Sequence, residues 1–270
     1  MEKKRKNKIG ALELRIISYV QLKRIKILRT GDIFPIIGIS AQTEKDVFSK
    51  LNNKGIFVRL TKGYYLVPDT LSPTTYPNVS EMEILFYFMK IFQAQFMISG
   101  PTAIYYYGYT TQIPNRIYVY NNKISGDRII GNKSFVFMKT SSKRLKGAEF
   151  ISNQKGIKTP YASKARLLID CIYDWNRYNT IPKVFKWINQ EIEENPAITE
   201  KLVSNAIRYG NRIVQRRLGY LLEIMNVDAK LVEKLQNKIQ GTKTIKPLIP
   251  NINLKGSVNK KWGLIINGEI

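Results

Sequence analysis

Asp170 and Asp174, one helical turn apart in "LLIDCIYDW", are the first residues whose type and spacing could do chemistry. Paired carboxylates can hold a metal ion or relay a proton. A metal nuclease would also need a lysine and a strand-borne acidic partner, and the flanking sequence offers no such strand. The favoured expectation is a pair of helix-surface carboxylates matched with Lys164, Arg166 or Arg177. Cys171 lies between them in an apolar run and is expected to be a buried small hydrophobe. The sequence contains no histidine, which removes Ser-His-Asp and Cys-His catalysis and every histidine-containing zinc site. A nucleotidyltransferase needs a Gly-Ser turn followed by an Asp-x-Asp pair. "ISGPTAIYYYG" offers Ser99-Gly100 in the reverse order with no such pair behind it. Neither GxxxxGK[ST] nor GxGxxG occurs, so no phosphate-cradling loop is expected. The reading is of a non-enzyme without cofactor or metal.

A second chemistry is contact with a polyanion. The stretch "SAQTEKDVFSKLNNKG" reads as a helix capped by Ser40 and ended by Gly55. At about 100° per residue, Glu44, Val47, Phe48 and Leu51 share one side, and the three apolar ones are expected in a core. The other side carries Gln42, Thr43, Asp46, Ser49 and Asn53, flanked by Lys45 and Lys50. Amides, hydroxyls and lysines on one helix face suit base edges and phosphates in a major groove. Directly behind, "IFVRLTKGYYLVPD" reads as a hairpin that turns at Thr61-Lys62-Gly63. Arg59, Lys62 and Tyr64 would make this hairpin a wing that reaches the DNA backbone or minor groove. The arm Lys3, Lys4, Arg5, Lys6 and Lys8 reads equally as phosphate contacts or as a solubilising tail. Further along, Lys164, Arg166, Arg208, Arg212, Arg216 and Arg217 could form a second basic face, provided Gly210 does not break the helix that carries the last four. The run Tyr105–Tyr109 is expected to be core plus surface rather than a base-stacking platform.

The elements that must position these residues are legible in outline. "ALELRIISYVQLKRI" places Leu12, Ile16, Ile17 and Val20 on one helix face, with Leu22 near it. "RTGDIFPIIGIS" predicts a second helix capped at Thr30. Helix, helix, helix and a two-stranded wing is the order of a winged helix over residues 1–70. The proline-rich stretch at 71–80 predicts a linker. Residues 81–270 mix helical patterns with strands in "FMISG", "NRIYVY", "KSFVFMKT" and "WGLIIN". The predicted class is α+β, an N-terminal winged helix-turn-helix followed by a larger mixed domain.

The totals agree with that chemistry. The 270 residues carry 44 Lys and Arg against 20 Asp and Glu, a formal charge of +24. An excess of that size favours nucleic acid or an anionic membrane. The most apolar window, Ile84–Ile98, contains Lys90, Gln93 and Gln95, so no membrane span and no membrane partner is expected. With no signal peptide and Cys171 alone, the expected setting is the cytoplasm.

The hairpin "LNNKGIFVRLTKGYYLVP" resembles that of AbiEi-type antitoxins, the transcription-regulating half of type IV toxin–antitoxin systems. "ISGPTAIYYYGYTTQIPNRIYVY", "SKARLLIDCIYDW", "RRLGYLLE" and "KKWGLIIN" resemble the same family, in the same order along the chain. The resemblance implies a phage-defence protein whose winged helix binds inverted repeats in its own promoter and represses the operon. It implies that the C-terminal domain counteracts a nucleotidyltransferase-like toxin without forming a stable complex. Family helices and arms vary in length and charge, so no individual base-reading residue is carried over. The alternative is a winged-helix module that binds RNA or protein without operator specificity.

Overall fold

The computed structural model describes residues 9–70, 77–153, 155–241 and 244–270. The arm Lys3–Lys8 and most of the expected linker therefore lie outside the described residues. The chain opens with α1 (Ala11–Leu22), β1 (Ile27–Arg29), α2 (Phe34–Ile37), α3 (Ala41–Asn53), β2 (Val58–Thr61) and β3 (Tyr64–Leu66). It continues through α4 (Glu81–Ile91), β4 (Phe96–Ile98), α5 (Gly100–Tyr106), β5 (Ile117–Asn121), β6 (Gly126–Ile130) and β7 (Lys133–Lys139). Strands β8 (Ala148–Ser152) and β9 (Lys158–Ala162) lead into helices α6 (Lys164–Tyr173), α7 (Trp175–Tyr178) and α8 (Lys183–Glu194). Helices α9 (Ile198–Tyr209), α10 (Arg212–Ile224) and α11 (Ala229–Ile239) follow, then β10 (Lys246–Pro247), β11 (Ser257–Asn259) and β12 (Leu264–Ile266).

These elements form two compact units. One comprises Met1–Gln95, Lys123–Lys139 and Ser152–Thr159; the other comprises Phe96–Asn122, Thr140–Ile151 and Pro160–Ile270. By contacts, α4 and the hairpin β6–β7 group with the first unit, whereas composition alone places the cut at 71–80.

The first unit begins as a winged helix. Its three-stranded sheet has the order β1-β3-β2, antiparallel throughout. Ile16, Ile17 and Val20 of α1 meet Val47, Phe48 and Leu51 of α3 in one buried cluster with Leu28, Ile33, Phe57 and Tyr65. Phe48 meets Phe57 and Tyr65 edge-on, with centroids 6.0 and 5.2 Å away. The apolar stripe of α3 thus faces the core as its period demands, which turns the opposite face to solvent. Leu22 is left exposed. Between the two stretches expected to be helical lies strand β1, which was not expected; Ile27, Leu28 and Arg29 pair with Leu66, Tyr65 and Tyr64. One local expectation is corrected. Thr30 is not a helix cap: its N–H donates to the Gly63 carbonyl at 2.8 Å, and α2 is a single turn from Phe34.

In the second unit β4 pairs antiparallel with β5 and parallel with β9, and β8 flanks β9. Helix α6 is buried along nearly its whole length, and α8, α9 and α10 pack against it. The small sheet β10-β12-β11 carries Trp262 in its β11–β12 connection. Trp262 is fully buried, and its Nε1 donates to Glu223 at 2.6 Å. A Cβ on Gly219 of α10 would stand 2.1 Å from that indole, so α10 accepts the ring only because position 219 has no side chain.

Candidate nucleic-acid interface

Helix α3 starts where Ser40 accepts the Thr43 N–H at 3.0 Å, and the two hydroxyls lie 2.8 Å apart. That cap occupies Thr43, which is half-buried. Gln42, Lys45, Asp46, Ser49, Lys50 and Asn53 are exposed. Gln42 Nε2 donates to Asp46 Oδ1 at 2.9 Å, one turn along the helix. This leaves the Gln42 carbonyl oxygen and its second N–H free of that contact.

The orientation of α3 depends on a residue whose role the sequence did not disclose. Glu44 is fully buried. Its Oε1 accepts the N–H of Ile33 at 2.7 Å and of Phe34 at 3.0 Å, and its Oε2 accepts the Gly31 N–H at 2.7 Å. A buried carboxylate is costly unless such donors replace its water. Here the unpaired amides before α2 supply them, so one side chain caps one helix of the motif from the other. Its place beside Val47, Phe48 and Leu51 on the core stripe was the available signal.

The hairpin β2–β3 turns at Lys62 and Gly63, and Gly63 has φ +76°, a conformation that favours glycine. Lys62 is exposed at the tip. Arg59 is also exposed, opposite Tyr65, and its N–H donates to Asn52 Oδ1 at 2.8 Å, which ties the hairpin to the end of α3. Tyr64 is half-buried, with the Arg29 guanidinium 6.0 Å from its ring centre. The side chains of Lys45, Lys50, Arg59 and Lys62 make no ion pair with any described residue. Nearby acids are already engaged. The Lys54 ammonium contacts Glu13 at 2.5 Å. Burial alone would raise the Glu13 carboxyl, but Lys54 and the Gly10 N–H hold it below its ordinary value. The structure therefore brings the α3 and wing candidates together on this winged helix.

The second unit does not gather its candidates into one exposed face. Helix α9 ends at Tyr209 and α10 starts anew at Asn211, whose side chain caps it, so the arginine ladder is broken at Gly210. Arg208 and Arg212 are exposed, while Lys164 is half-buried and bonded to Glu191 at 2.8 Å. Arg166 is fully buried: Nε donates to Asp170 Oδ2 at 3.0 Å and Nη1 to the Lys146 carbonyl at 3.1 Å. Asp170 is not a surface carboxylate. It is fully buried, and it accepts from Arg166, from Arg144 at 3.1 Å and from Ser99 at 3.2 Å. Burial pushes its carboxyl upward, and the two guanidinium groups pull against that. Arg216 and Arg217 are also buried, donating to the carbonyls of Thr244 at 2.7 Å and Pro247 at 3.1 Å. Burial without a carboxylate contact pushes Arg217 down to about 10. Cys171 is buried, as expected. Tyr105 and Tyr106 are exposed, whereas Tyr107 and Tyr109 bond to the Ala162 carbonyl and to Glu191.

Among the described residues, no three His, Cys, Asp or Glu side chains are grouped to hold a metal ion. Among the same residues, no helix is long and apolar enough to cross a membrane.

Residues 20–157 match a family described only as one of unknown function, DUF6088. The match spans α3 and the β2–β3 hairpin. No curated protein matches the chain. Among solved structures, the chain is similar to the Rv2827c protein of Mycobacterium tuberculosis. The TM-score is 0.57 at 15% identity, over 96% of this chain and 92% of that one. At that identity the likeness concerns the fold.

Proposed function

We propose that this chain, which belongs to the DUF6088 family, is a duplex-DNA-binding transcriptional regulator that reads its operator with α3 and the β2–β3 wing. The observation that carries the reading is the pairing of two exposed surfaces on one rigid frame. The polar face of α3 stands clear of the core, and the wing is tied to α3 through Asn52 and Arg59. Lys45 and Lys50 flank Gln42, Ser49 and Asn53, as positioning cations flank base-reading groups. Gln42, with one N–H held by Asp46, keeps one acceptor and one donor, the pair that adenine presents its complement to in the major groove. Lys62 at the wing tip supplies a phosphate contact.

The resemblance to AbiEi-type antitoxins extends the proposal. The operator would be inverted repeats in the protein's own promoter. Residues 81–270 would counteract a nucleotidyltransferase-like toxin by a non-catalytic route and without a stable complex.

The test is binding of the full chain to its own upstream DNA and to a scrambled duplex across a salt series. A Gln42→Ala variant runs beside the wild type. A preference for the upstream duplex that persists at about 150 mM salt, and that Gln42→Ala relaxes, supports operator reading. Equal binding to both duplexes with a steep salt dependence would sink it and leave a generic polyanion binder.

A further inference from the structure

The second unit contains a cleft of about 460 Å³ between the α5–β5 connection and the start of α8. That volume is within the usual range of small-molecule sites. Its character is uneven. One wall is aromatic: Tyr109 and Trp187 stack with ring centroids 5.2 Å apart and 24° between their planes, and Tyr118 and Tyr178 stand edge to face at 5.9 Å. The cations are Arg116 and Lys183, and none of the residues lining the cleft is a carboxylate. Lys183 opens α8, a helix of 12 residues, so the positive end of the helix adds to its charge. The remaining polar groups are amides and hydroxyls, among them Gln112, Asn115 and Thr110.

The aromatic wall is fixed in place. Tyr178 Oη donates to Tyr120 Oη at 3.0 Å, and Tyr120 in turn bonds Asp174. Gly100, at φ +60°, has the Tyr178 ring where its Cβ would be, 2.7 Å away. The ring thus sits against α5 at a distance that no other residue at position 100 would allow. A planar ring can be received there without repacking, and its orientation fixed by amides, while an attached anion meets Arg116 and Lys183.

We propose that this cleft binds a nucleotide: a base laid against the Tyr109–Trp187 wall, with its phosphate held by Arg116 and Lys183. An anion is specified because the lining carries two cations and no carboxylate, and a flat heterocycle because the wall is aromatic and edged with amides. A free nucleotide and the phosphorylated end of a single strand share that chemistry. The inference does not depend on the winged helix binding duplex DNA.

The experiment titrates the full chain with adenosine 5′-monophosphate, with adenosine, and with a 5′-phosphorylated single-stranded dodecamer. Trp187 fluorescence and equilibrium dialysis are the readouts. Saturable quenching is expected, lost in Trp187→Phe while dialysis still reports binding. Lys183→Ala and Arg116→Ala should each weaken the phosphorylated probes about tenfold or more. Adenosine should bind at least about tenfold more weakly than its monophosphate. Tighter binding of the dodecamer than of the monophosphate would identify a strand end as the ligand, and the reverse a free nucleotide. Arg59→Ala/Lys62→Ala should bind the monophosphate like the wild type. Absence of saturable binding, indifference to both cation variants, or loss in the wing variant would each overturn the proposal.

Discussion

In the winged helix, Lys45, Lys50, Arg59 and Lys62 stand in solvent without an ion-pair partner among the described residues. In the second unit, Arg166, Arg216 and Arg217 are enclosed, and each donates to a backbone carbonyl. Lys45 and Lys50 of the first set and all three arginines of the second lie on amphipathic helices, and sequence spacing presents them alike. What separates them is how much of the helix circumference is buried and able to cover the stem. Helix α3 has one narrow stripe and leaves its lysines outside. Helices α6 and α10 are buried on most sides, and they draw their guanidinium groups inward, where a planar head can bond carbonyls and lie on rings. Arg166 lies 3.9 Å from the Tyr209 ring centre and Arg144 equally close to Tyr173. These positive charges are therefore exposed surface in one unit and internal framework in the other.

The sharpest way to break this comparison is Arg166→Met. Removing Arg166 leaves the buried Asp170 with Arg144 as its remaining cation partner, and a loss of about 3 kcal/mol is expected in chemical denaturation. Duplex affinity of the folded protein should be unchanged. If Arg166→Met is as stable as wild type while losing affinity for nucleic acid, the assignment of roles is reversed.

Glu44→Gln comes next. An amide in place of the carboxylate would point N–H donors at one of the backbone N–H groups that Glu44 now accepts, and about 2–3 kcal/mol should be lost. Circular dichroism of the variant should show the loss as a lower melting temperature. A smaller loss than that of a solvent-facing control such as Ser49→Ala would refute the capping role.

Arg59→Ala/Lys62→Ala acts on the other side of the comparison. Both side chains are exposed, so stability should move by no more than about 0.5 kcal/mol. Duplex affinity should fall about tenfold near physiological salt, and the slope of affinity against salt should drop by roughly two. A destabilised variant with an unaltered slope would make the wing part of the frame.

The smallest effect expected is acid sensitivity at Glu13. Its carboxyl is held below the ordinary value in the folded state. Its contribution is therefore present above the ordinary carboxylate range and is lost as pH falls through the folded value. Glu13→Gln should flatten that part of the stability curve, by within about 1 kcal/mol. An identical acid limb in wild type and variant would exclude the pair as its source.

The residues that repeat locally were the legible ones. Val47, Phe48 and Leu51 announce the buried side of α3, Ser40 its start, and Gly63 the turn of the hairpin. The α+β class and the winged helix follow from those signals. Contacts fixed by distant partners left no such mark. Strand β1 has three residues and exists only because β3 pairs with it from more than thirty residues away. Thr30 was taken from a helix cap by Gly63, and Asp170 from the surface by Arg144 and Ser99. For the candidate interface, exposure of the α3 face was readable. The hold of Glu44 on the α2 turn was not, since its partners are backbone amides that carry no side-chain signature.

Because Glu44 fastens α3 to the backbone of Gly31, Ile33 and Phe34, the two helices turn as one body. A duplex that meets such a body has no helix to order, so little conformational entropy is lost by the protein on association. On the proposed reading, selectivity would come from groups already in place on α3 and the wing, and from whichever sequences let the duplex bend toward the wing. Calorimetry on the bound state would read this as a small heat-capacity change, the signature of docking without folding.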